Sequence, residues 1–302
     1  MSTPDEPVAP TTPPPPGAGA RRSASNVVPL PVPPGVPVPP PPGPAPTGNL
    51  RIPSTDGVEL EAHLAEPERT NGDAHPGVIF LHSFPSGDVW ADRIGADLPE
   101  LADRTAQQMG FVSLSIRFRG CGTSSGHFSL QGWVDDVSAA VDHLATTQRP
   151  KGIWLCGFGT GGAVAMVASA DDERVFGLAM AGSPADFDDW AVNPNRLMAH
   201  ARRVGAIRSP DFPPDPEEWR AELRRIRAVA AAERFSERPL LVLHGLEDDA
   251  VPQFDARALA DAHGLAELRF IRGAGHLLRH DPRAVAVLLG WLARQEGARR
   301  DP

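Results

Sequence analysis

The chain has 302 residues, a net charge of −9 and two cysteines. That charge argues against a nucleic-acid partner, which needs a clustered basic face. Two thiols in so long a chain do not make a disulfide framework and fit a reducing compartment, and neither Cys121 nor Cys156 has metal-ligand spacing, so no metal or cofactor is expected.

Of the 34 prolines, 18 fall within residues 1–48, so this stretch is read as a disordered tail favouring extended polyproline II over a packed core. Its simplest role is a spacer; the alternative is a polyproline-binding partner for residues 28–46. The opening "MSTPDEPVAP" lacks the basic and apolar regions of a signal peptide, and no apolar run approaches the ~20 residues of a membrane span. A soluble cytoplasmic protein with a small-molecule substrate or ligand and no membrane partner is expected.

The folded domain is expected over 49–296, with 297–302 disordered. "LRIPSTDGVELEAHLAEP" reads as a hairpin turning at Asp56-Gly57. Apolar runs at 77–83, 111–118, 151–157, 175–182, 239–245 and 266–273 read as strands, with helices at about 92–109, 132–147, 160–171, 253–263 and 281–295. The alternation predicts an α/β fold with a mostly parallel sheet and helices on both faces. Residues 184–234 contain no strand pattern and read as an inserted helical lid, including a long Arg/Ala/Glu helix whose start is marked by Asp215-Pro216-Glu217-Glu218. The alternating charges of "EEWRAELRRIRAV" mark a solvated face, and Arg202-Arg203 a surface pair.

Ligands in open α/β sheets bind where strands end. Five motifs fall there: "LHSFPSG", "RFRGCGTSSG", "CGFGTGG", "HGLEDDAVP" and "GAGH". Together, and in this order, they resemble the α/β-hydrolase fold, more narrowly its serine aminopeptidase-like and dienelactone-hydrolase-like branches. The resemblance covers about residues 49–296. It implies that Asp248 orients and charge-stabilises His276, that His276 is the general base, and that the backbone N–H groups of Phe84 and Thr160 form an oxyanion hole. His82 and His244 read as structural.

The departure is Gly159, which stands where the family has its nucleophilic serine. Removing such a serine costs about 10⁶ in turnover. A replacement is sought in a water held in the vacated space, or in Ser83, the alternative nucleophile beside the oxyanion donor. Thr160 is expected to turn away, Ser124, Ser125 and Cys121 to serve their loop, and Cys156 to be inert packing. The expected function is hydrolysis of a small acyl, ester or amide-type substrate using Asp248 and His276. Its rivals are a non-catalytic small-molecule-binding or regulatory pseudoenzyme, and a lyase or isomerase needing only base and oxyanion hole.

Overall fold

The computed structural model of the protein describes residues 50–68, 74–86, 89–235 and 237–300. The proline-rich segment lies outside the described residues, and with it the expectation of a polyproline-binding partner for residues 28–46.

The hairpin forms from β1 (Leu50–Pro53) and β2 (Glu59–Ala65), antiparallel with Leu50 opposite Ala62. Then come β3 (Gly77–Leu81), β4 (Val112–Ile116), β5 (Ile153–Phe158), β6 (Val175–Ala181), β7 (Leu240–Gly245) and β8 (Glu267–Ile271). They make one eight-stranded sheet in the order β1-β2-β4-β3-β5-β6-β7-β8, parallel from β4 to β8. Every residue of β3, β4, β5 and β7 is buried, which is why these strands read as continuous apolar runs rather than alternating ones.

Helices cover both faces. One face is packed by α2 (Leu130–Thr147), α3 (Thr160–Ser169) and α8 (Gln253–His263), through Val137, Val164 and Leu259. The other is packed by α1 (Leu98–Met109) and α9 (Pro282–Arg300), through Ala102, Leu288 and Trp291. Two boundaries differ from expectation by more than two residues. Helix α1 begins at Leu98 rather than 92, because Pro99 has no N–H to give and fits only a first turn. Helix α9 runs on through 297–300, where disorder was expected: Glu296 is buried and the Arg299 guanidinium lies 3.6 Å above the Phe176 ring.

Between β6 and β7 run α4 (Asp188–Val192), α5 (Pro194–Arg203), α6 (Pro216–Arg225) and α7 (Ala228–Phe235). The long helix expected here is two, broken at Ile226, whose backbone is extended (φ −84°, ψ 106°) so that its side chain is buried. The Asp215 carboxylate caps α6, accepting from the Glu217 and Glu218 N–H groups at 3.0 Å. The expected solvated face is interrupted by Glu222, which is buried and accepts from the Gln131 N–H. No helix among the described residues is long and apolar enough to cross a membrane.

Strand β5 and helix α3 pack backbone to backbone against the end of β3. A Cβ on Gly161 would strike the His82 and Leu81 carbonyl oxygens, neither of which is the end of a flexible side chain. Gly161→Ala is therefore expected to destabilise the protein by about 1–3 kcal/mol. Gly297→Ala in α9 meets nothing within 4 Å and gains up to about 1 kcal/mol of helix propensity. Urea midpoints of the two variants check the contrast.

Candidate functional site

The ends of β3, β5, β7 and β8 meet at one edge of the sheet, and each delivers one of the residues in question. Beyond β7 the chain makes a tight turn, in which Asp248 Oδ1 accepts from the backbone N–H groups of Ala250 and Val251, both at 2.9 Å. Beyond β8, the Ala274 carbonyl accepts from the Glu247 N–H at 2.9 Å and ties the two loops together. This brings His276 Nδ1 to 3.0 Å from Asp248 Oδ2, whose carboxylate is wholly buried. Burial alone would raise the Asp248 pKa, but the hydrogen bond and charge of His276, with the two backbone donors, hold it below the usual carboxylate range. The pair sits against bare backbone, since a Cβ on Gly182 would stand 3.4 Å from Asp248 Oδ2.

His244 lies beneath the pair. Its Nε2 donates to the Val251 carbonyl at 3.0 Å and lies 3.7 Å from Asp248 Oδ2. It braces the turn that carries Asp248, and burial lowers its pKa.

Gly159 joins β5 to α3 at φ 53°, ψ −127°, a backbone that L side chains rarely adopt. A Cβ built there would lie 3.5 Å from His276 Nε2, so the imidazole's second nitrogen faces this turn. The same Cβ would lie 2.7 Å from the Ser83 Cβ. The Ser83 side chain thus abuts the Gly159 turn, because the loop after β3 packs directly on the first turn of α3.

His82 fixes that loop. Its Nδ1–H donates to the Ser83 carbonyl at 2.8 Å and its Nε2 accepts from the Phe118 N–H at 3.0 Å. Fully buried, it has its pKa lowered to about 3 and is a neutral structural strut. Phe84 follows, its ring 4.4 Å from Phe128, 5.3 Å from Trp190 and 5.7 Å from His200. Trp190 belongs to α4 and His200 to α5, so the inserted helices are anchored on this loop. The His200 Nε2–H donates to the Pro85 carbonyl at 2.8 Å, and its Nδ1 accepts from Arg203. Neither His200 nor Gly182 gave any signal in the sequence, because their partners lie far off along the chain. Of the expected surface pair, Arg202 is exposed and donates to the Pro210 and Phe212 carbonyls, while Arg203 is half-buried and turned to His200.

Thr160, the first residue of α3, is buried. Its N–H opens the helix and has no intrahelical acceptor. Ser124 and Ser125 bond the backbone of β2, at Glu61 and Glu59. Both thiols are buried; burial pushes Cys121 up to about 12 and raises Cys156 as well, so neither is poised as a thiolate. Among the described residues no three His, Cys, Asp or Glu side chains are grouped to hold a metal. A cleft of about 550 Å³ lies beside His276, lined also by Asp249, Leu277, His280 and Arg283.

The sequence pattern of the alpha/beta hydrolase family matches residues 78–288, which contain every residue of this site. The chain belongs to that family. The chain is similar to the alpha/beta hydrolase domain-containing protein WAV2 of Arabidopsis thaliana, 28% identical over 223 residues. The match takes in 69% of this chain and 64% of WAV2, so it spans a little under two thirds of that relative. Among solved structures, Est1E of Butyrivibrio proteoclasticus with ferulic acid bound superposes with a TM-score of 0.61 at 20% identity, covering 82% of this chain and 97% of Est1E. The Pyrococcus furiosus esterase Pf2001 gives 0.56 at 18% identity, covering 82% and 91%. At these identities the likeness is one of fold.

Proposed function

We propose that this hydrolase cleaves a small acyl, ester or amide-type substrate, with His276 as general base and Asp248 as the group that orients it. The observation that carries the reading is the 3.0 Å contact between His276 Nδ1 and the buried Asp248 carboxylate. The acceptor on one side fixes the proton on Nδ1, which leaves Nε2, 3.5 Å from the Gly159 Cβ position, as the lone pair that takes a proton. The backbone N–H groups of Phe84 and Thr160 serve as oxyanion donors, placed on the two walls that meet at Gly159. Helices α4 to α7 act as the lid that shapes the substrate pocket, through Trp190 and His200 on the Phe84 loop. The protein belongs in the serine aminopeptidase-like and dienelactone-hydrolase-like branches, acts on a soluble small molecule and works in the cytoplasm.

The test is turnover of a short-chain p-nitrophenyl ester by the full chain and by its His276→Ala variant. Hydrolysis that disappears with the imidazole is the expected result. A full chain inert to ester and amide probes alike overturns the reading.

One observation favours a second reading: residue 159 has no side chain to attack with. A pseudoenzyme would bind a small acyl compound under the lid without turning it over. Thermal stabilisation by an acyl compound that is recovered intact would establish this second reading.

A further inference from the structure

Gly159 leaves a volume in front of His276 that another side chain fills. The Ser83 Cβ and His276 Nε2 both lie within 3.5 Å of the point where a Cβ on residue 159 would stand, at 2.7 and 3.5 Å. A serine leaving residue 159 and one leaving residue 83 would compete for the same place, and here Ser83 has it. We propose that Ser83 is the nucleophile, delivered from the wall opposite the β5–α3 turn into the position that turn leaves empty. The inference rests on the hydrolase reading above and names the attacking group for it.

Three features support Ser83 in particular. Its main chain is held at both ends of the step: its carbonyl accepts from His82 Nδ1–H, and the preceding carbonyl, that of His82, abuts Gly161 at the start of α3. Ser83 is 5% exposed, so its hydroxyl faces few competing waters, and attack by a positioned group replaces a bimolecular encounter. The α3 N-terminus, with the Thr160 N–H and the positive end of the helix dipole, stabilises negative charge at this spot whichever residue brings the attacking oxygen. In the free protein the hydroxyl and Nε2 are not hydrogen-bonded. The mechanism requires the hydroxyl to turn toward Nε2, and such contacts commonly tighten when substrate binds.

In the reaction the Ser83 Oγ forms a bond to the acyl carbon while its proton passes to His276 Nε2. The carbonyl electron pair moves onto oxygen, facing the Phe84 and Thr160 N–H groups. Collapse breaks the bond to the leaving alkoxide or amine, which takes the proton from His276 and departs, leaving the acyl group on Ser83. A water then gives its proton to Nε2 and its oxygen to the acyl carbon; the acid is released and Ser83 recovers its hydrogen.

The experiment treats the full chain and its variants with a fluorophosphonate probe, maps the adduct by peptide mass spectrometry, and measures p-nitrophenyl ester turnover in parallel. The expected result is one adduct on Ser83, absent from Ser83→Ala and His276→Ala, with turnover of Ser83→Ala lower by at least about 10³-fold. Gly159→Ser alone is expected to lower turnover, because its Cβ would stand 2.7 Å from that of Ser83. Gly159→Ser combined with Ser83→Gly relieves the conflict and moves the adduct to residue 159. If Ser83→Ala stays folded, keeps its turnover and only His276→Ala is dead, the nucleophile assignment is overturned and the hydrolase reading stands. If the unaltered chain neither takes the probe nor cleaves any ester or amide, both fall.

Discussion

On the proposed mechanism, Asp248→Asn is expected to lower kcat for ester hydrolysis by about 10⁴-fold with the fold intact. The size follows from which atom of the new amide can go where. In the protein, Asp248 Oδ1 accepts from two backbone N–H groups, those of Ala250 and Val251. An asparagine keeps that arrangement only by placing its oxygen there, because an NH₂ group would set donor against donor twice. Its NH₂ then takes the Oδ2 position, 3.0 Å from His276 Nδ1. Facing a donor, Nδ1 gives up its hydrogen and becomes the acceptor, so the proton moves to Nε2 and the base is blocked. Circular dichroism and ester kinetics on the variant check this. A loss of less than tenfold would show that the carboxylate does not set the tautomer.

The stability of the protein falls steeply as pH is lowered from 7 to 4, and histidines cause it. His82 has its pKa lowered to about 3 by burial, and His200 to about 4. Unfolded, both titrate near 6.5. Between these values the unfolded chain binds protons that the folded chain refuses, so stability is full above about pH 6.5 and is lost as pH falls. His82 alone accounts for about 3 kcal/mol of this loss by pH 4, at up to about 1.4 kcal/mol per pH unit. For His200 the added proton would have to sit on Nδ1, which already faces the Arg203 guanidinium at 2.8 Å. Asp248 acts in a lower window: its depressed carboxyl contributes fully above its unfolded pKa of 3.8 and loses that contribution only below it. Asp136, whose pKa burial raises to about 6, works the other way between pH 6 and 4 and offsets part of the loss, but the two histidines together outweigh it. Calorimetry from pH 7 to 4 is expected to show a falling Tm. His200→Gln, which keeps a donor for the Pro85 carbonyl, flattens part of the slope. A Tm unchanged down to pH 4.5 contradicts the account.

Much of this was legible in the chain. Strands buried on both faces must be apolar throughout, so β3, β4, β5 and β7 stood out as short continuous runs. Motifs at strand ends fall at one edge of a parallel sheet, and the resemblance those motifs carry implies the pairing of Asp248 with His276, which lie 3.0 Å apart. What is local in space is local in sequence at these places: the Asp56-Gly57 turn, the Asp215 cap and the glycines flanking residue 159 all carry their reason within a few residues.

The contents of the space beside Gly159 could not be read that way. Ser83 and Gly159 are separated by most of two βα units, and which wall of the site fills the gap depends on how closely the loop after β3 packs on α3. The same holds for His200 on Pro85, Glu222 on Gln131 and Arg299 on Phe176, each a contact between distant segments. The sequence by itself determined the fold class and the edge of the sheet that bears the candidate site, and offered Asp248 and His276 as its acid and base. Only the tertiary structure decided that a serine from another strand end packs against the Gly159 turn, because volume in a close-packed interior is allotted among side chains that meet in space and not along the chain.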